Sequence, residues 1–162
     1  MKKKIIIVAG DPNSINSEII AKTWKSIDTS IKKRVYLIGN FDLIREQFKK
    51  LKCKTSIRKV SQLNDNLFPK KIKIIDIPLN YKNPFKVSLP NSTKYITKCF
   101  NLAHKLAQND EVKGLINCSI DKNLLKNKYM GVTEYLAHKC KIKRNTEVML
   151  INNEKLSVSP IT

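Results

Sequence analysis

The sequence has little glycine, few aromatic side chains and few acidic residues. Only 4 of its 162 residues are glycine, and 7% are aromatic. Scarce glycine excludes a collagen-like chain, and a hydrophobic fraction of 41% is enough for a packed core. The length fits one ordinary domain, or one domain and the start of another.

Long apolar runs are also missing. The longest, Ile5-Ile6-Ile7-Val8-Ala9, is far shorter than the ~20 residues that span a bilayer. The basic start, Met1-Lys2-Lys3-Lys4, imitates a signal peptide, but Gly10-Asp11-Pro12 ends the apolar stretch before it reaches the roughly 7–15 residues of a signal core. We therefore expect no membrane association and a cytoplasmic location.

No C-x-x-C pair is present, which leaves a zinc ribbon or a redox motif unsupported. The four cysteines are Cys53, Cys99, Cys118 and Cys140. We expect them to be reduced, buried thiols. His104 and His138 stand on predicted helices without matching carboxylates or a second histidine, so neither is expected to bind a metal or to act as a general base.

Basic residues dominate the charge. The chain has 28 Lys and 4 Arg but only 13 Asp and Glu, which gives a formal net charge of +19. Nucleic-acid surfaces concentrate their basic residues and favour Arg, whereas these lysines are spread along the chain. The chain is also rich in Ile and Asn, which like Lys are encoded by A/T-rich codons, so the base composition of the gene explains the excess of Lys. We expect a solvated basic surface that attracts anionic substrates. The alternative to an enzyme is a non-catalytic domain that uses this charge to bind anions or nucleic acid.

Strand-like and helix-like segments alternate along the chain. Strands are predicted at 4–9, 34–39, 55–60, 71–77, 114–118, 147–151 and 156–159. Helices are predicted after Ser14 or Asn16 and at 42–51, 92–109, 122–128 and 133–140, with an irregular loop at 80–90. The first two helices are expected to bury Ile19, Ile20, Trp24, Ile27, Leu43, Ile44, Phe48 and Leu51. The alternation predicts a layered α/β fold with a mostly parallel sheet.

The turn after the first strand is a candidate ligand loop. Gly10-Asp11-Pro12-Asn13-Ser14 leads into a helix whose free N–H groups can hold an anion such as phosphate. It is neither a dinucleotide fingerprint nor a Walker loop. Ligands gather at the carboxyl ends of parallel strands, which favours Gly10 and Asp11 as ligand residues. A plain capped turn is the competing interpretation.

Two later turns carry further candidates. Asp121 and Lys122 follow a predicted strand, where they either meet a ligand or start the next helix. Gly131, Val132 and Thr133 precede another predicted helix. Thr133 is a natural N-cap whose hydroxyl can also bind a ligand.

Taken in order, these motifs resemble the 4-hydroxythreonine-4-phosphate dehydrogenase family. Residues 10–18 correspond to its Gly-Asp-Pro-Ala-Gly-Ile-Gly-Pro-Glu, and 119–122 to its Pro-Ile-Asn-Lys turn. Residues 131–137 correspond to its Gly-His-Thr-Glu-Phe-Leu-Ala, and 148–150 and 156–158 to two later strands. The resemblance covers essentially the whole chain.

The resemblance implies an isocitrate/isopropylmalate-dehydrogenase-like α/β/α architecture in truncated form. Residues 1–128 would belong to the first domain and 129–162 would begin the second. The implied activity is NAD-dependent oxidation and decarboxylation of 4-phosphooxy-L-threonine to 3-amino-2-oxopropyl phosphate, in pyridoxal phosphate (vitamin B6) biosynthesis, by a homodimer. NAD would carry the hydride, and a divalent metal (Zn, Mg or Co) would polarise the alkoxide and enolate.

The sequence departs from the family pattern in three places. Val132 stands where the family has a substrate-contacting His, so only Thr133 carries over as a substrate contact. Ser14, Asn16 and Ser17 replace two glycines and a proline. The third departure is the last residue, Thr162, since the resemblance puts the family's metal-binding histidines beyond it.

From this we expect a fragment that is inactive alone and has no metal site; no catalytic residue is assigned. The altered position 132 also leaves open a dehydrogenase for a related phosphorylated acid, 4-phospho-threonate or phospho-erythronate.

Overall fold

The predicted strands of residues 1–124 form one parallel sheet. Its strands are β1 (Lys4–Val8), β2 (Val35–Gly39), β3 (Ile57–Val60), β4 (Ile72–Asp76) and β5 (Val112–Asn117). They lie in the order β3-β4-β2-β1-β5, and every pair is parallel. The carboxyl ends of all five strands therefore meet at one edge of the sheet, the carboxyl edge, and the amino ends meet at the opposite amino edge.

Helices cover both faces of this sheet. Helix α1 (Asn16–Ser26) is followed by the short α2 (Thr29–Lys32), by α3 (Phe41–Lys50) and by α4 (Leu89–Ala107). On one face, α1 and α3 pack Ala21, Trp24, Ile44 and Phe48 against the odd residues of β2 and the even residues of β4. On the other face, α4 packs against β1, β2 and β5. The α/β/α layering is the predicted fold class, and it is confirmed.

Two helices differ in detail from the prediction. Helix α4 begins at Leu89, three residues earlier than predicted, because the missing N–H of Pro90 costs nothing in a first helical turn. Ile19 was predicted to be buried but is 47% exposed. Ala21 and Trp24 set the rotation of α1 on the sheet and turn Ile19 outward. Leu51, also predicted to be buried, follows the end of α3 and is 37% exposed.

The computed structural model describes residues 3–63, 68, 70–125, 131–143 and 146–159. The chain divides into two compact units, 1–124 and 125–162, and the predicted domains 1–128 and 129–162 stay a prediction. A 3-10 helix, Lys122–Leu125, takes the place of the helix predicted at 122–128, whose last three residues lie outside the described residues. No helix in the described ranges is long and apolar enough to cross a bilayer.

The second unit contains α5 (Val132–Lys139) and a hairpin of β6 (Ile151–Asn152) and β7 (Ser157–Val158). The hairpin is antiparallel and forms its own two-stranded sheet. Its strands are shorter than predicted because their apolar side chains are exposed and gain little from pairing. These side chains are Val148, Met149, Leu150, Ile151, Leu156 and Val158.

Candidate functional site

Gly10 lies two residues beyond the end of β1 and has a left-handed conformation with φ +79°. Glycine adopts this conformation without steric cost, whereas other residues rarely do. A Cβ at this position would overlap the side-chain nitrogen of Asn16 and lie 2.5 Å from the carbonyl oxygen of Ser119. The first loop thus approaches the loop after β5 more closely than a side chain at position 10 would permit.

Asn16 joins these two loops. Its side chain is only 3% exposed. Its Nδ2 donates to the Ser119 carbonyl at 2.7 Å, and its Oδ1 accepts from the Ser119 hydroxyl at 2.8 Å. The backbone N–H of Asp11 donates to the same carbonyl at 3.1 Å. Three hydrogen bonds therefore bring Gly10 and Asp11 next to the segment that leads to Asp121.

Replacing Asn16 with alanine is expected to lower the free energy of unfolding by about 2 kcal/mol, because both hydrogen bonds between the buried Asn16 and Ser119 are lost. Urea unfolding of Asn16→Ala, Ser119→Ala and the double variant tests this. We expect the two losses to be non-additive by about 1 kcal/mol, since both changes break the bond between the Ser119 hydroxyl and Asn16. Strictly additive losses would contradict the link between the loops.

Three N–H groups in the first loop and at the first residue of α1 are bonded within the loop. Asp11 Oδ1 accepts from Asn13 N at 2.9 Å, and the Asp11 carbonyl accepts from Ser14 N at 3.2 Å. Ser14 Oγ accepts from Asn16 N at 3.2 Å. These three amides are engaged within the loop, and ligand binding by Gly10 and Asp11 stays a prediction. The Asp11 carboxylate itself supplies the negative charge that a helix N-terminus attracts.

Asn16 is also not the helix cap that the sequence suggested. The N-cap is Ile15, and Asn16 is the first helical residue. The three residues that replace two glycines and a proline of the family pattern, Ser14, Asn16 and Ser17, all contribute side-chain hydrogen bonds. Ser14 and Asn16 do so as described above, and Ser17 Oγ donates to Gln47 Oε1. Glycine or proline could make none of these bonds.

Asn13 fixes the loop that follows β4 against the first loop. Its Nδ2 donates to the Val87 carbonyl at 2.9 Å, and its Oδ1 accepts from Val87 N at 2.7 Å. The two segments are 74 residues apart in sequence. This paired amide contact holds a second, distant loop at the carboxyl edge.

Gln47 of α3 lies beneath both loops and is 1% exposed. Its Nε2 donates to the Pro12 carbonyl at 2.8 Å and to the Pro84 carbonyl at 2.6 Å. Its Oε1 accepts from Ser17, so the amide bonds through both its nitrogen and its oxygen. One buried side chain thus holds the first loop, the loop after β4 and the start of α1.

Asn40 and Tyr95 fix the ends of the central strands. Asn40 Oδ1 caps α3 by accepting from Leu43 N at 2.8 Å, and Asn40 N donates to the Tyr95 hydroxyl oxygen at 3.0 Å. Asp76 Oδ1 accepts from Phe41 N at 2.8 Å. Burial raises the pKa of Tyr95 well above its ordinary value, so the phenol stays protonated and its role is structural.

The turn after β5 carries Cys118, Asp121 and Lys122. Burial raises the pKa of the Cys118 thiol, which keeps it protonated and weakly nucleophilic. Asp121 Oδ1 accepts from Asn123 N at 2.8 Å, and the Asp121 carbonyl accepts from Leu124 N at 2.9 Å. Asp121 therefore begins the next helix, and its contact with a ligand stays a prediction. Lys122 is exposed and is the cation among the four predicted ligand-loop residues.

Val132 and Thr133 lie in the second unit at the start of α5. The N-cap of this helix is Gly131 rather than Thr133, because the extended backbone at Gly131, with φ −170°, leads directly into Val132 as the first helical residue. The predicted capping role of Thr133 is therefore wrong. Its role as a substrate contact stays a prediction.

The residues described here do not form a cage for the divalent metal that the resemblance implies. Across the described ranges, no three His, Cys, Asp or Glu side chains cluster closely enough to hold a metal ion. The metal ligands were predicted to lie beyond Thr162, which is itself outside the described residues, so their position stays a prediction.

In the first loop and at the start of α1, Asp11 and Ser14 engage three amides, and where NAD binds stays a prediction. The carboxyl edge offers a fixed arrangement of loops beside the exposed Lys122.

A parallel sheet between helical layers, with its loops tied together at the carboxyl edge, defines an α/β domain of the kind that carries ligands at its strand ends. The profile of the family described as "Pyridoxal phosphate biosynthetic protein PdxA" matches residues 30–162. This match covers well over half of the sequence. The chain belongs to the PdxA family.

Individual relatives are named as dehydrogenases. The 4-hydroxythreonine-4-phosphate dehydrogenase of Erythrobacter litoralis is 22% identical over 99% of this chain and 49% of its own length. That of Caulobacter vibrioides is 28% identical over 83% of this chain and 40% of its own length. The chain spans about half the length of the curated relatives it matches.

Solved structures match the fold. The 4-hydroxythreonine-4-phosphate dehydrogenase of Burkholderia phymatum has a TM-score of 0.82 at 22% identity, over 98% of this chain and 49% of its own. That of Klebsiella pneumoniae has a TM-score of 0.80 at 24% identity, over the same shares of the two chains.

Proposed function

We propose that this chain supplies part of an NAD-dependent 4-hydroxythreonine-4-phosphate dehydrogenase. The reaction would oxidise and decarboxylate 4-phosphooxy-L-threonine to 3-amino-2-oxopropyl phosphate, in pyridoxal phosphate biosynthesis. Membership of the PdxA family supports this proposal, as do the names of the relatives. The observation that carries it is the carboxyl edge, where the side-chain amides of Asn13, Asn16 and Gln47 hold three distant loops in one arrangement.

In this proposal the carboxyl edge is a preformed substrate surface. A fixed arrangement of loops spares the reaction the entropy of ordering them around the substrate. Lys122 attracts the phosphate or carboxylate of the substrate, and the net charge of +19 favours approach of any such anion. Independently of this surface, the family resemblance makes Thr133 of the second unit a proposed substrate contact through its hydroxyl, and Val132 beside it offers no hydrogen bond.

In the same proposal NAD takes up the hydride, and the residues that hold the metal and NAD are others than those described here. We infer that they lie on polypeptide equivalent to the remaining half of the relatives. A homodimer and a cytoplasmic location complete the proposal.

The activity of a chimera tests the proposal. The 162-residue chain alone, mixed with 4-phosphooxy-L-threonine, NAD and Zn²⁺, Mg²⁺ or Co²⁺, is expected to form no NADH. A chimera that joins it to the remaining half of the Caulobacter vibrioides relative is expected to turn over. In that chimera, Lys122→Met is expected to raise KM about tenfold, since one charge-assisted contact to the substrate is lost.

Lys113→Met serves as the control, because Lys113 is an equally exposed lysine on β5 and its loss should leave KM within about twofold. NADH formation by the chain alone would contradict the inference that the groups for the metal and NAD lie on the remaining half. A chimera that folds, as judged by circular dichroism, but does not turn over would contradict the proposed function itself.

A related phosphorylated acid is the second candidate substrate, and Val132 favours it. Valine cannot hydrogen-bond, so the amino group of 4-phosphooxy-L-threonine has no partner at this position. Comparing kcat/KM for 4-phosphooxy-L-threonine and 4-phospho-threonate in the chimera separates the two. Equal or faster reaction of the acid would assign the chain to it.

A further inference from the structure

A cleft at the amino edge of the sheet is not used by the proposed function. Its volume is about 380 Å³, within the range typical of small-molecule sites. Lys25, Lys32, Lys54 and Lys70 line it. These residues lie near the end of α1 or shortly before β2, β3 and β4. The cleft is therefore separated from the carboxyl edge by the length of the sheet.

The charge around this cleft has one sign. Four lysines contribute to the lining, and no Asp or Glu among the described residues does. In the same part of the chain, the salt bridges involve other cations, namely Lys4, Lys22, Arg45 and Lys59. Asp28, the carboxylate nearest to the lining in sequence, is outside it. Ammonium groups gathered around one cavity repel each other, and a bound anion relieves that repulsion.

The floor of the cleft is part of the protein core. Trp24 is 6% exposed and packs in the cluster under α1 and α3. Its indole Nε1 donates to the Lys70 carbonyl at 3.4 Å, and the Lys32 ammonium lies 5.9 Å from the ring centre. The backbone of Lys70 and the ammonium group of Lys32 are thus both placed beside this fixed aromatic ring. The hydroxyls of Thr29 and Ser56 add neutral hydrogen-bond donors.

We propose that this cleft binds a small polyanion with two or more linked phosphate groups, no larger than a nucleoside diphosphate. A single phosphate would neutralise less than the charge that the four lysines provide. Lysine ammonium groups on flexible stems adapt to phosphate oxygens in varied positions and need no fixed bidentate geometry. The site is distinct from the proposed substrate surface, so its occupancy does not depend on the proposed reaction.

Trp24 makes the proposal directly testable, because it is the single tryptophan of the chain. Inorganic tripolyphosphate is expected to change the fluorescence of the 162-residue chain saturably, whereas sulfate at equal ionic strength is not. Lys25→Gln with Lys54→Gln is expected to weaken tripolyphosphate binding about tenfold, since two of the four charges are removed.

The matched control removes the same charge at the opposite edge, with Lys82→Gln and Lys86→Gln in the loop after β4. It should change affinity by no more than about twofold. Equal weakening by both pairs would show general attraction to a basic protein, and no saturable change would show no site; either result overturns the proposal. It also fails if a single-stranded oligonucleotide displaces tripolyphosphate and binds more tightly. All four substituted lysines are exposed, so circular dichroism should show unchanged folding.

Discussion

A Gly10→Ala variant is expected to lose about 3 kcal/mol of unfolding free energy. Part of this loss is the cost of a left-handed backbone for alanine, about 1–2 kcal/mol, at φ +79°. The remainder comes from the new methyl group, which would overlap the Asn16 side chain and crowd the Ser119 carbonyl. Urea unfolding monitored by Trp24 fluorescence measures the loss.

Gly114→Ala is the matched control for this variant. Gly114 lies in β5, and a Cβ there would meet no described atom within 4 Å. Alanine at this position restricts the unfolded chain and introduces no clash, so we expect stability to change by no more than about 0.5 kcal/mol. Similar losses at both glycines would show that the close approach of the two loops is not the cause.

A Gln47→Met variant is expected to lose about 3 kcal/mol as well. Methionine is close in shape to glutamine, so little cavity forms and the loss reports on hydrogen bonding. Two buried carbonyls, of Pro12 and Pro84, and the Ser17 hydroxyl would lose their partner. Urea unfolding gives the magnitude.

Amide hydrogen exchange provides an independent measurement on Gln47→Met. The amide of Val87 is bonded to Asn13, in the loops that Gln47 holds, and it should exchange faster in the variant. Lys49→Met, an exposed change on the same helix, should leave both stability and exchange nearly unchanged. Wild-type stability in Gln47→Met would show that the buried amide does not hold the loops.

The layered fold could be predicted because β1, β2 and β4 are short runs rich in β-branched residues, and α1, α3 and α4 repeat their apolar residues at helical spacing. The order of the strands in the sheet could not, since local periodicity contains no information about which strands become neighbours. The exposure of Ile19 was missed for a similar reason. Rotation of α1 depends on how Ala21 and Trp24 fit the sheet, and the apolar pattern allows more than one rotation.

The candidate site was predicted only in outline. Strand ends identified the region of Gly10, Asp11 and Asp121, but not which atoms there are already bonded. Gln47 was overlooked although the sequence holds a signal for it, because it lies between Ile44 and Phe48 on the inward side of a helix. A polar side chain in that position requires buried partners. The partners of Asn13 and Asn16 are distant in sequence, and no local pattern indicates them.

The pairing of β1 sets the order in which this chain can fold during synthesis. Ile5 pairs with Val35 on one side and with Gly114 on the other. The first pairing can form soon after the second strand leaves the ribosome, whereas the other must wait for most of the chain. Until then one side of the first strand has its backbone groups open to other chains, which is the interval in which nascent parallel sheets are most prone to misassociation.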